Sequence, residues 1–260
     1  MKTMVSAGVS LVLAVLLMAG CRTSARSMGA PEAAPGQPGG AAGSVHEIAD
    51  GATLSGTVKF EGDAPRVRKN SAEADGVCHK AHPEGVPSES MLVGKDGGLA
   101  NVVVWLKGGV NGTFEAPKTP ALLNQEGCVY KPHVVTLMVG QTLEIKNSDG
   151  TAHNVHTLSK LNPEMNFAQP APGSENKTFG SPEIFKVKCD IHGWMSAVVG
   201  VFKHPFFAVS DADGKFEIKG LPDGEYVVEA WHEKLGKQEG KVKISGGAAQ
   251  TLDFSFSDEE

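Results

Sequence analysis

The chain reads as all-β. Its 260 residues include 32 Gly and 15 Pro but only two Tyr, a turn-rich composition. No long apolar stretch recurs at helical spacing in the body of the chain, and short alternating segments follow one another at regular intervals between turn formers. That pattern belongs to β-sandwiches, not to a mixed α/β domain.

The elements can be justified in order. Leu54-Ser-Gly-Thr-Val58-Lys-Phe60 alternates apolar and polar residues as a half-buried strand does, and Glu61-Gly62-Asp63-Ala64-Pro65 breaks it. Asn101 to Leu106 is a second strand, ended by Gly108-Gly109; the stretch between the two, with Cys78, His79 and His82, has no assignable period. From His133 to Lys146 the pattern gives a strand, a turn at Gly140-Gln141 and a strand from Thr142 to Ile145, before a loop from Asn147 to Gly150 leads to His153. Residues 163–181 are rich in Pro, Gly, Asn and Ser and are expected to be mostly loop. Strands follow at 184–189 and 197–202, then a meander at 206–209, 215–218, 226–231, 241–244 and 251–256, with turns at Asp211-Ala-Asp-Gly214 and Leu221-Pro-Asp-Gly224. These Asp-Gly pairs are turn formers, not a calcium loop.

The first 20 residues read as a targeting segment: Lys2 is basic, Val9 to Ala19 is apolar, and Ala19-Gly20 places small residues before Cys21. The apolar run is too short to span a membrane. Residues 22–45 are Ala, Gly, Pro and Ser with hardly a large apolar side chain, so nothing there can be buried. They form a flexible tether, with an end-to-end distance of roughly 25–30 Å. Removing Lys2 with the leader takes the net charge from −6 to −7. That mildly acidic balance argues against nucleic acid as a partner.

Chemistry concentrates in Cys189-Asp190-Ile191-His192-Gly193-Trp194-Met195 and, upstream, His153-Asn154-Val155-His156. One thiol, two imidazoles and a thioether are the donors of a mononuclear copper site, and this soft set excludes Mg and Ca. A structural zinc site would recruit paired Cys, and no second Cys stands near Cys189. The two three-residue steps, Cys189 to His192 and His192 to Met195, let one tight loop aim all three donors at one point. His153 and His156 compete for the fourth place. Residues three apart on an extended segment face opposite sides, so one of them ligates, and His153 is favoured. Taken singly, Cys189, Met195 and His153 could each be ordinary core residues; their joint order and spacing point to one copper ion.

Tyr130-x-Pro132, Val139-Gly140-x-Thr142, Asn147-x-Asp149, His153-Asn154 and Cys189-x-x-His192-x-x-Met195 together resemble the cupredoxin, or blue type 1 copper, family, and the ligand loop is similar in length to that of amicyanin. The resemblance spans residues 115–203. It implies a Greek-key β-sandwich in which His153 is the buried imidazole ligand, Cys189 the thiolate, His192 the solvent-edge imidazole and Met195 the axial thioether. Asn154 would brace the thiolate loop, and a redox protein partner would dock on the rim around His192, Trp194 included. Ile191 stands where plastocyanin-like loops have Pro.

Leu54-Ser-Gly-Thr-Val58 and Asp213-Gly-x-Phe216-x-Ile218-x-x-Leu221-Pro-x-Gly224-x-Tyr226 resemble the carboxypeptidase regulatory-like (transthyretin-like) sandwich. The expectation is an inserted arrangement, with residues 51–114 and 204–260 forming that second sandwich around a copper domain at 115–203; an end-to-end arrangement is the alternative. His204-Pro205 and Trp231-His232-Glu233 are read as exposed polar residues at strand ends.

Leu17-Met18-Ala19-Gly20-Cys21 resembles the lipobox of bacterial lipoproteins, with Met18 replacing the usual Leu. It implies a lipid anchor on Cys21, after cleavage of residues 1–20 and ahead of a tether at 21–50. An ordinary secretory leader is the alternative. Arg22 after the Cys points to the outer membrane, on the periplasmic side of a bacterial cell envelope. With Cys21 lipidated and Cys189 on copper, Cys78 and Cys128 remain, and in an oxidising compartment they read as one disulfide; a second metal site at Cys78, His79 and His82 is the competing reading. The expected function is a membrane-tethered outer-sphere electron carrier. Copper capture and delivery, or a structural or carbohydrate-binding envelope module using Trp231 and Tyr226, are the alternatives. No Ser/His/Asp arrangement, phosphate loop or second copper centre is legible, and the protein is expected not to be an enzyme.

Overall fold

A computed structural model describes residues 51–258. In chain order the elements are β1 (Ala52–Glu61), β2 (Lys69–Asn70), α1 (Gly76–Ala81), β3 (Val86–Pro87) and β4 (Val103–Gly108). There follow β5 (Ala121–Gln125), β6 (Tyr130–Lys131), β7 (Val134–Met138), β8 (Thr142–Asn147), β9 (His153–Thr157), β10 (Asn166–Gln169), β11 (Gly173–Thr178), β12 (Glu183–Lys188) and β13 (Ser196–Phe202). The chain closes with β14 (Phe207–Val209), β15 (Lys215–Leu221), β16 (Gly224–His232), β17 (Gly236–Ile244), β18 (Gln250–Thr251) and β19 (Phe254–Ser257). The molecule is nearly all β.

Four principal sheets form two sandwiches. In one, β15-β1-β18 with β19 also on β1 faces β14-β4-β16-β17. In the other, β10-β9-β12-β13-β7 faces β11-β8-β5-β6. The pairing of β1 with β15 and of β4 with β14 and β16 joins the start of the described chain to its end, and β5 to β13 lie between as a separate pair of sheets. Each sandwich has its own core, built from the inward residues of alternating strands. Leu54, Val58, Phe216, Ile218 and Val228 fill one; Leu123, Leu137, Ile145, Val155 and Val199 fill the other. A third cluster of Val103, Val134, Met138, Val198, Phe202 and Phe207 joins the two, pressing β4 and β14 against β7 and β13.

One glycine is required by this topology. At Gly56 a Cβ would sit 1.9 Å from the Leu252 carbonyl oxygen, where the chain crosses β1 between its pairing as β18 and as β19. Only a residue without a side chain admits that approach.

Residues 163–181, expected to be loop, contain β10 and β11. β11 pairs along its whole length with β8, from Gly173 opposite Asn147 to Thr178 opposite Thr142, yet all but one of its residues are exposed. An edge strand solvated on both faces needs no apolar alternation, so its sequence carries no period to read. The stretch without a readable period after β1 holds α1, whose N-cap Asp75 accepts through Oδ1 from the amides of Val77 (2.8 Å) and Cys78 (3.0 Å). Residues 69–87 fall in sequence between β1 and β4, but Ala72, Cys78 and Val86 pack into the other sandwich, among Leu123, Cys128 and Tyr130.

The strand-end polar residues depart from the expected exposure. His232 is buried, and the Glu233 side chain is 8 % exposed. Glu233 bridges the sandwiches, taking His133 Nε2 at 2.5 Å and Lys186 Nζ at 2.9 Å. His204 Nε2 meets the Leu106 carbonyl at 2.8 Å. A reading by segment could not see that these strand ends face the neighbouring sandwich and not water.

Candidate metal centre

The centre lies where β9 and β12 diverge. These strands pair antiparallel at Val187 with Thr157 and Lys188 with His156, which carries His153 past the end of β12 to face the 189–195 loop. The loop closes on itself: the Cys189 amide donates to the Met195 carbonyl (3.1 Å) and the Met195 amide to the His192 carbonyl (2.9 Å). Cys189, His192, Met195 and His153 are all buried.

His153, Cys189 and His192 bring one donor atom each to within 4.8 Å of one another. The two Nδ1 atoms face each other at 3.0 Å. Cys189 Sγ accepts from the amides of His192 (3.3 Å) and Asn154 (3.4 Å). Met195 closes the loop from within the same apolar cluster as Cys189. Asn154 also binds the ligand loop through its side chain, its Oδ1 accepting from the Asp190 amide at 2.9 Å. The Tyr130 hydroxyl donates to the Asn154 carbonyl at 2.7 Å, and burial raises the pKa of that phenol.

The outer nitrogen of each imidazole faces a carboxylate. His153 Nε2 is 2.8 Å from Asp149 Oδ2, and the Asp149 carboxylate also accepts from the amides of Gly127 (2.7 Å) and Cys128 (2.8 Å). Asn147 sets this loop, accepting from the Asp149 amide at 2.9 Å and donating to the carbonyls of Thr151 and Gln169. His192 Nε2 is 3.4 Å from Asp75 Oδ2. Burial lowers the pKa of His153, against the pull of Asp149, which favours the neutral ring. Asp75 is held down at about 2, chiefly by the Cys78 amide and against burial, with Thr151 and Val77 adding to the effect.

A metal fits this arrangement. With Nε2–H of His153 directed at Asp149, its Nδ1 is a lone pair, and this lone pair, the His192 Nδ1 atom 3.0 Å away and the Cys189 sulfur are three converging donors for a cation. Tautomers are inferred from these bonding patterns.

His192 departs from its expected place at the solvent edge. It is 4 % exposed. Cys78 Sγ lies 3.8 Å from its Nε2, and the Trp194 ring is centred 5.0 Å from its own. Trp194 is half-buried and donates from Nε1 to the Cys128 carbonyl (3.0 Å). The cover over His192 comes from α1, joined to the sandwich by the Cys78–Cys128 disulfide. That bond removes Cys78 from any thiolate site, and His82 Nε2 is directed at the Gly127 carbonyl at 2.7 Å. His156 lies on the other face of β9, between Asp190 (2.8 Å) and Glu164 (3.0 Å), outside the donor group. Cys21 lies outside the described residues. Asp75 was missed in the sequence reading; its only local signal was an N-cap residue type just before a short helix.

No protein-family profile and no curated protein matches the chain. Solved structures do. A copper-containing nitrite reductase from Thermus scotoductus SA-01 is 21% identical with a TM-score of 0.30, over 36% of this chain and 25% of that one. A purple cupredoxin from Nitrosopumilus maritimus is 19% identical with a TM-score of 0.28, over 31% of this chain and 98% of the other. A singly substituted amicyanin in its Cu(I) form is 17% identical with a TM-score of 0.29, over 34% and 96%. At these identities and TM-scores the likeness carries no argument about this chain, and the chemistry of the site rests on its own atoms. The nitrite reductase overturns one expectation, the exclusion of enzymatic activity. At this identity, coverage and TM-score that structure assigns no activity to this chain.

Proposed function

We propose that the protein is an envelope type 1 copper protein that exchanges single electrons with a redox protein partner. The reading is carried by one observation: two Nδ1 atoms and one thiol sulfur converge in a buried pocket, with a carboxylate within 3.4 Å of each ring's outer nitrogen. His153, Cys189, His192 and Met195 would hold one copper ion, which supplies one-electron redox chemistry. The chain's contribution is rigidity. Two amides fix the sulfur, the Asp149 carboxylate fixes His153, and Asn154 ties the ligand loop to β9, so the ligands need move little when charge changes. Burial of all four donors favours retaining the ion over handing it on.

Ile191 (53 % exposed) and Val77 (43 % exposed) each adjoin one member of the His192–Cys78 contact, and they supply the apolar surface on which the partner would dock. Anchoring through Cys21 to the outer membrane, on the periplasmic side, completes the proposal and rests on the sequence preceding the described residues.

Copper loading tests the reading. The Cu(II) protein is expected to show an intense visible thiolate-to-metal band, absent from Cys189→Ser. A colourless wild-type protein, or a band that survives the substitution, rejects it. Repeated oxidation and reduction without loss of metal separates electron carriage from copper delivery.

A further inference from the structure

We propose that Asp75, supplied from outside the β5 to β13 sandwich that carries the four donors, sets the charge beside His192 in the metal centre. The inference rests on the site reading above and adds a residue from the segment between β1 and β4.

The two oxygens of Asp75 divide their tasks. Oδ1 caps α1 through the amides of Val77 and Cys78. Oδ2 accepts from Thr151 Oγ1 at 2.8 Å and stands 3.4 Å from His192 Nε2. Thr151 is two residues before His153, so the same carboxylate is tied to the loop that delivers the other imidazole. The helix cannot drift away. Cys78, on its first turn, is joined to Cys128, whose amide is in turn held by Asp149. Asp75, Thr151, Asp149 and Cys128 thus form a frame around the outer edges of both rings.

One consequence follows for a bound ion. A fixed negative charge behind the His192 ring favours the more highly charged oxidation state. Asp75→Asn is the informative variant, because Asn caps a helix as well as Asp does, so α1 is kept while the charge goes. Thr151→Val is the control; it loosens the seat of the carboxylate but leaves the charge.

Copper-loaded wild type, Asp75→Asn and Thr151→Val are compared by direct electrochemistry and visible spectra. Asp75→Asn is expected to bind copper with the thiolate band intact and to favour Cu(I) over Cu(II) about tenfold more than wild type, a rise of about 59 mV for one electron. Thr151→Val should move much less. A shift below about twofold in Asp75→Asn, or an equal shift in Thr151→Val, overturns the role of the carboxylate while leaving the site reading intact. A wild-type protein that takes up no copper ends both.

Discussion

Replacing Glu233 by Gln probes the polar joint between the sandwiches. The carboxylate follows β16, is 8 % exposed, and is held by His133 and Lys186 from the neighbouring sandwich. Burial alone would raise its pKa. Hydrogen bonds and charge from His133 and Lys186 outweigh that and bring it to about 2, against an ordinary 4.5. Because the folded value is the lower one, the unfolded chain takes up the proton first on acidification. The contribution is therefore complete above about pH 4.5 and is lost as pH falls toward 2. At ~1.36 kcal/mol for each tenfold change in proton affinity, the carboxylate contributes about 3 kcal/mol at pH 7 and about 1.4 kcal/mol at pH 3. Gln keeps the shape and one acceptor but cannot ionise. Urea unfolding of both proteins at pH 7 and pH 3 should give a deficit of about 3 kcal/mol for the variant at neutral pH, narrowing by about 2 kcal/mol in acid. A deficit below about 1 kcal/mol at pH 7, or one of equal size at both pH values, would refute the argument that a buried, paired carboxylate joins the two units.

The Cys78–Cys128 disulfide closes a loop of 50 residues. Replacing both by Ser should therefore cost about 4 kcal/mol on loop-closure entropy, read by calorimetry, and a loss under about 1 kcal/mol would contradict a constraint on the unfolded chain. Cys21→Ser should move the protein from the membrane to the soluble fraction and abolish incorporation of labelled fatty acid; unchanged labelling would contradict the anchor.

Some of this architecture was readable from residue order and some was not, and particular elements show why. β1, β4, β7, β8, β12 and β13 each bury one face and expose or half-expose the other, or run apolar through a core, so their period is written in the chain. The approach of Cys189 and His192 was equally legible, because a three-residue step in one tight loop brings them together. β11 was not, since an edge strand with both faces wet has no period. Nor was the fate of His232 and Glu233, which look like strand-end polar residues until the neighbouring sandwich covers them.

Local order was enough to establish the all-β class and to single out Cys189 and His192 as neighbours in one loop, because alternation and three-residue spacing are properties of short segments. The burial of His192 was settled only when the chain folded. Asp75 and Cys78 lie more than a hundred residues before it, and nothing in either segment announces the other. The contact exists because the excursion between β1 and β4 buries Ala72, Cys78 and Val86 in the second sandwich's core, which carries α1 onto an imidazole expected to face water.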